Sequence, residues 1–153
     1  MSIQKFGTLL LPRVEEIESK YALTLPAWYK SFLLSTNGGI IENAPLRIPD
    51  LDCSVFCEIL YGLDLEDCFN IDYWMSEYGD ELPPNSLIIG DDSLKGFLIL
   101  FCKRGEESLV YWDDANNFPP SDEQGNAYIV FTNPEDIRQW FEDLRLPENA
   151  ADS

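Results

Sequence analysis

SLIIGDDSLKGFLILFCKRGEESLVYW, residues 86 to 112, decides the fold. Short apolar runs at Leu87 to Ile89, Phe97 to Cys102 and Leu109 to Trp112 are separated by turn formers, Gly90-Asp91-Asp92 and then Lys103-Arg104-Gly105. Tyr128 to Phe131 adds a fourth run, and the rhythm is that of an antiparallel meander. Within it, Phe97-Leu98-Ile99-Leu100-Phe101 lacks the polar alternation of a strand with one wet face, so helices must pack on at least one side. The expected fold class is α+β, a mostly antiparallel central sheet flanked by helices in a single domain.

Working outward, the helices are legible by spacing. Val14, Ile17 and Tyr21 recur at i, i+3 and i+7 in a helix over 12–22, with Glu15, Glu16 and Glu18 in its early turns. Thr24 is the expected cap of a second helix that opens near Pro26, buries Trp28, Phe32 and Leu33, and stops at Asn37-Gly38-Gly39. An irregular acidic passage follows, then a strand from Ser54 to Tyr61 and a helix from Leu65 to Tyr78 whose aromatics are either core or a binding face. Asn133 and Pro134 open a last helix that buries Ile137, Trp140, Phe141 and Leu144. Residues 1–147 are expected to form one domain and 148–153 a flexible tail.

Charge is the second signal. The chain has 28 acidic and 10 basic side chains in 153 residues, a formal net charge of −18. Between Arg47 and Lys95 lie Asp50, Asp52, Glu58, Asp64, Glu66, Asp67, Asp72, Glu77, Asp80, Glu81, Asp91 and Asp92, with no Lys, Arg or His among them. Such a surface repels phosphate, so nucleic acid and anionic membrane are rejected as ligands and a cationic protein is favoured. The longest early apolar run, Phe6 to Leu11, is too short for a signal-peptide core or a membrane span, so a cytoplasmic location is expected. The cysteines at 53, 57, 68 and 102 are then expected to be reduced and mostly buried.

The residue types present exclude most catalytic chemistry. With no histidine, neither a Ser-His-Asp nor a Cys-His arrangement can be built. The cysteines lack paired C-x2-C knuckles for zinc, and no Gly-rich phosphate loop occurs. Gly90 to Gly96 mimics the start of a calcium loop, but Lys95 falls where an oxygen ligand is needed, and a turn between two strands is the preferred reading. The pairs Asp91 with Asp92, Asp113 with Asp114, and Glu106 with Glu107 leave open a magnesium or acid–base enzyme, which tight stoichiometric metal binding would reveal. No catalytic residue, metal ligand or cofactor is assigned.

Taken in order, Ile17-Glu18, Leu25-Pro26, Asn37-Gly38-Gly39, Ile88-Ile89-Gly90-Asp91-Asp92, Gly96 and Val110-Tyr111-Trp112-Asp113 resemble the SUKH superfamily of Smi/Knr-like proteins, over residues 14 to 145. The stretch between Gly39 and Ile88 departs from the family pattern as a long acidic insertion. The resemblance implies an α+β fold and, in bacterial members, an immunity protein that binds and neutralises a cognate polymorphic toxin, often a nuclease or deaminase. Eukaryotic relatives look like regulatory interaction proteins, so a cytosolic scaffold domain without a toxin stays open as the alternative. Charge clustering and neighbouring aromatics nominate Asp64, Glu66, Asp67, Asp72, Tyr73, Trp74, Glu77, Asp91, Asp92, Asp113 and Asp114 as partner-binding residues, with Tyr78 and Trp112 as further aromatic anchors. The expected partner is a toxin with a basic surface, met by a monomer or weak dimer.

Overall fold

The computed structural model describes residues 1–49, 52–92, 96–112 and 127–144. Helix α1 (Leu11–Tyr21) carries Pro12 in its first turn and buries Val14 and Ile17 completely. It ends as Ala22 enters the left-handed region at φ 52° and its amide reaches the Glu18 carbonyl. Helix α2 (Ala27–Thr36) follows at once, and Thr24 does not cap it: the residue at the cap position is Pro26, without a side-chain cap. The reason is local. A residue before proline is driven into extended backbone, so Leu25 separates Thr24 from the helix amides. Glu18 ties the corner instead, accepting the Leu25 amide at 2.8 Å and pairing with Lys30 at 3.0 Å.

The passage read as irregular contains two short strands, β2 (Gly39–Glu42) and β3 (Pro45–Ile48), and a further strand, β1 (Ser2–Lys5), precedes α1. With β4 (Cys53–Leu60), β5 (Ser86–Asp92), β6 (Phe97–Phe101), β7 (Ser108–Trp112) and β8 (Ala127–Phe131) they make an eight-stranded antiparallel sheet. Its order is β1-β2-β4-β5-β6-β7-β8, with β3 pairing the first half of β4 and also lying against β8. The acidic stretch is therefore not an appendage. It supplies β4, next to the centre of the sheet.

Helix α4 (Pro134–Glu142) begins where the Asn133 side chain accepts the Glu135 amide at 2.9 Å, as the spacing predicts. It buries Ile137, Trp140 and Phe141; Leu144 lies just past its end and is only half-buried. Phe141 meets Trp28, Tyr29 and Phe32 at 5.1 to 5.5 Å, joining α4 to α2, and α4 also lies against β7 and β8. Trp28 is half-buried, with Tyr29 taking the core position beside it. Every residue from Phe97 to Leu100 is buried, as its unbroken apolar run demands.

The expected helix over 65–78 is shorter than its aromatics suggest. Asp67–Phe69 forms a single tight turn, and α3 proper is Ile71–Tyr78, capped by Asn70, whose side chain accepts the Asp72 amide at 3.1 Å. Helix α3 lies against β5, where Met75 Sδ accepts the Ile88 amide at 3.4 Å. Gly90, Asp91 and Asp92 belong to β5 itself, not to the turn that follows it. Among the described residues no helix is long and apolar enough to cross a membrane.

Candidate functional site

Cross-strand register places Ile40, Ile59, Asp91, Phe97 and Trp112 in one row across β2, β4, β5, β6 and β7. Helix α3 lies along this row because Ile71, Trp74, Met75 and Tyr78 fall at i, i+3, i+4 and i+7. Trp74 is stacked by Tyr61 at 5.7 Å and Tyr78 at 6.2 Å and meets Phe97 at 5.1 Å. Its indole N–H donates to the Cys68 carbonyl at 3.2 Å. Tyr78 in turn meets Phe97 at 5.2 Å and the edge of Trp112 at 5.7 Å. Trp74, Tyr78 and Trp112 are each half-buried, so this aromatic layer is both core and surface.

Asp91 sits within the row. The Tyr61 hydroxyl donates to its Oδ2 at 2.5 Å. Burial pushes the Asp91 carboxyl up to about 6; the Tyr61 bond opposes that rise, while Glu58 and Asp92 add to it. Burial likewise drives the Tyr61 phenol far above its usual range. Asp92 is 3% exposed, and its Oδ1 accepts the Gly96 amide at 2.8 Å and the Tyr111 hydroxyl at 3.2 Å. Gly96 has to be glycine here, since a Cβ would fall 2.1 Å from the Tyr111 ring.

The remaining nominated residues fall into two sets. Asp64 and Asp72 are neutralised by α1. Asp64 accepts two guanidinium nitrogens of Arg13 at 3.0 and 3.1 Å, and Asp72 takes Arg13 and Lys20 at 3.2 Å plus the Tyr21 hydroxyl. Burial favours protonation of Asp72, but the bonds from Tyr21, Lys20 and Arg13 outweigh it and hold its carboxyl below the usual range. Arg47 similarly pairs with Asp52. Glu66, Asp67 and Glu77, by contrast, are exposed and in no ion pair among the described residues, as are Glu58, Asp80 and Glu81.

Tyr73 lies one helical turn before Glu77, on the flank of α3 turned away from the Trp74 stack, edge-on to Trp74 at 5.0 Å. Its phenol is raised, chiefly by the Glu77 charge. The turn of 79–81 brings Asp80 and Glu81 to the C-terminal end of α3, where the helix dipole is already negative and no basic residue occupies the last turn. Asp113 and Asp114 follow Trp112 in sequence and lie outside the described residues, as does the expected tail, 148–153.

Sequence reasoning did not find Tyr61 and Phe97, which complete the aromatic layer, or Arg13, Lys20 and Tyr21, which discharge two of the acids. The cysteines are unbridged: Cys57 and Cys102 are buried, Cys53 is half-buried and Cys68 is exposed. Among the described residues no cluster of three or more His, Cys, Asp or Glu is arranged to hold a metal ion. A family model described as the SMI1 / KNR4 family (SUKH-1) matches residues 13–143. No curated protein matches the chain.

Proposed function

The chain belongs to the SMI1 / KNR4 family (SUKH-1), and from that membership we propose that it is a non-enzymatic immunity protein that binds and neutralises a cognate toxin with a basic surface, such as a nuclease. The observation that carries the proposal is the asymmetry of charge around α3. Among the described residues, three acids of the run receive cations from outside it, Asp52, Asp64 and Asp72, while Glu58, Glu66, Asp67, Glu77, Asp80 and Glu81 are exposed without one. Self-repulsion of this kind costs folding stability, and a basic partner removes the cost when it docks.

In this reading the exposed carboxylates speed encounter, and the rings around them supply the contact area that holds the complex. Asp91 adds charge beside the rings, whereas Asp64 and Asp72 work indirectly by fastening α3 to α1. Asp113 and Asp114, which follow Trp112 in sequence, remain partner-binding candidates by their charge alone. Basic nuclease grooves, built to hold phosphate, carry the complementary sign of charge.

Co-expression tests the proposal. The toxin-bearing open reading frame beside this gene is expressed with and without the chain, and growth and complex formation are measured. Rescue of growth with a stoichiometric complex is expected. No rescue, or an isolated gene without such a neighbour, overturns it and leaves a regulatory interaction domain.

A further inference from the structure

Resting on the reading just given, we infer that the outer flank of α3 is an arginine seat: the Tyr73 ring receives a guanidinium of the partner protein, and Glu77 and Asp67 grip its edge. Tyr73 is half-buried but does not pack on the core, which α3 meets through the buried Ile71 and the half-buried Trp74, Met75 and Tyr78. Its only ring neighbour among the described residues is Trp74, met edge-on at 5.0 Å, which fixes the phenol without stacking on it. Glu77 follows Tyr73 by one turn on the same flank of α3, and Asp67 precedes Cys68, whose carbonyl is bonded by the indole of Trp74 next to Tyr73. The Glu77 charge, with a hydrogen bond from the Tyr73 hydroxyl, raises that phenol, and Asp67 adds to the rise.

The occupant follows from this chemistry. A guanidinium is planar and weakly hydrated, so it can lie on an aromatic face while its in-plane N–H groups reach carboxylates at the rim. A lysine ammonium is a strongly hydrated point charge and uses the carboxylates but gains less from the ring. The local field has the right sign: the last turn of α3 holds no basic residue, and Glu77, Asp80 and Glu81 cluster at its negative end. An arginine placed there relieves the dipole and the carboxylates together. The neighbouring acids Asp64 and Asp72 cannot serve the same way, because Arg13 and Lys20 already occupy them.

Two short amidated peptides, Gly-Arg-Gly-Gly-Arg-Gly and its lysine counterpart, separate arginine chemistry from charge. Each is titrated into the full-length protein and followed by amide and aromatic NMR shifts. The arginine peptide is expected to shift residues 66–81 and to bind about two- to fivefold tighter than the lysine peptide, the gain of an exposed cation–π contact. Tyr73→Leu should erase that preference and Tyr73→Phe should restore it, with the dispersion of the free spectrum reporting an intact fold. Glu77→Gln should weaken both peptides. Equal affinities, a preference that survives Tyr73→Leu, or shifts centred away from α3 would overturn the seat. If toxin neutralisation still required the exposed carboxylates, only this inference would fall; if arginine preference held while the chain protected against no toxin, the seat would stand and the immunity reading would fall.

Discussion

Replacing Asp91 with asparagine should make the protein more stable at neutral pH. The Asp91 carboxyl is pushed from 3.8 up to about 6, mainly because burial in the Ile59–Phe97 row strips water from the charged form. A rise of that size corresponds to a folding penalty of about 3 kcal/mol when the group is ionised. The sign follows from linkage: the folded state holds the proton more tightly, so the penalty is complete above pH 6 and disappears as pH falls below the unfolded value near 4. The substituted amide would keep an oxygen to accept the Tyr61 hydroxyl but bring an NH2 group needing its own partners, which returns roughly 1 kcal/mol. The net expectation at pH 7.5 is a gain of about 2 kcal/mol, or about 4–8 °C in Tm for a domain of this size. Urea unfolding of both proteins at pH 7.5, 6 and 4.5 measures it. The difference should shrink steadily as pH falls. A variant less stable than wild type at pH 7.5, or a difference that ignores pH, would refute the assignment of a buried, unfavourably ionised carboxylate.

Asp72 should behave in the opposite sense. Its lowered carboxyl contributes stability above its unfolded value near 3.8 that is lost as pH falls further, and Asp72→Ala, which takes a partner from Lys20 and Tyr21 while Arg13 keeps Asp64, should cost about 1 kcal/mol in urea unfolding at pH 7. Gly62→Ala places a Cβ 2.0 Å from the Asn37 carbonyl oxygen and should lower stability by about 3 kcal/mol or more, whereas Gly105→Ala, with φ 81° but open space around it, should cost only about 1 kcal/mol; thermal melts compare the two. Cys68 should react with a thiol reagent at pH 8 in the folded protein, and Cys57 and Cys102 only on unfolding, because burial covers both and pushes the Cys102 thiol up to about 12.

The meander and the flanking helices were legible because each reports itself locally. Phe97 to Leu100 shows its double burial by lacking alternation, and Asn133-Pro134 shows a helix start by its cap. The short strands β1, β2 and β3 were not, since four residues such as Gly39–Glu42 carry too little period to separate from a loop and become strands through their partners: β1 and β2 pair each other, and β2 and β3 pair β4. Gly90-Asp91-Asp92 misled for a related reason. Glycine and paired acids favour turns, yet β5 continues through them, with Gly90 against the Ile59 carbonyl and the acids bonded by Tyr61, Tyr111 and Gly96.

At the candidate site, clustering of acids along the chain was visible, but their neutralisation was not. Arg13 meets Asp64 and Asp72 across 51 and 59 positions, and no spacing rule reaches that far. The aromatic layer is likewise split between register and helix periodicity. Trp74 and Tyr78 share a helix face that the spacing predicts, while Phe97 and Trp112 join them only through strand pairing.

The rate at which the chain captures the proposed toxin, followed by stopped-flow tryptophan fluorescence at low and high ionic strength, tests the central claim most directly. If exposed carboxylates around α3 draw in a basic partner, association should slow at least about tenfold between 50 and 500 mM salt, and lysines at 66, 67, 77, 80 and 81 should remove both the speed and the salt dependence. A rate indifferent to salt, or one unchanged by the five reversals, would contradict it.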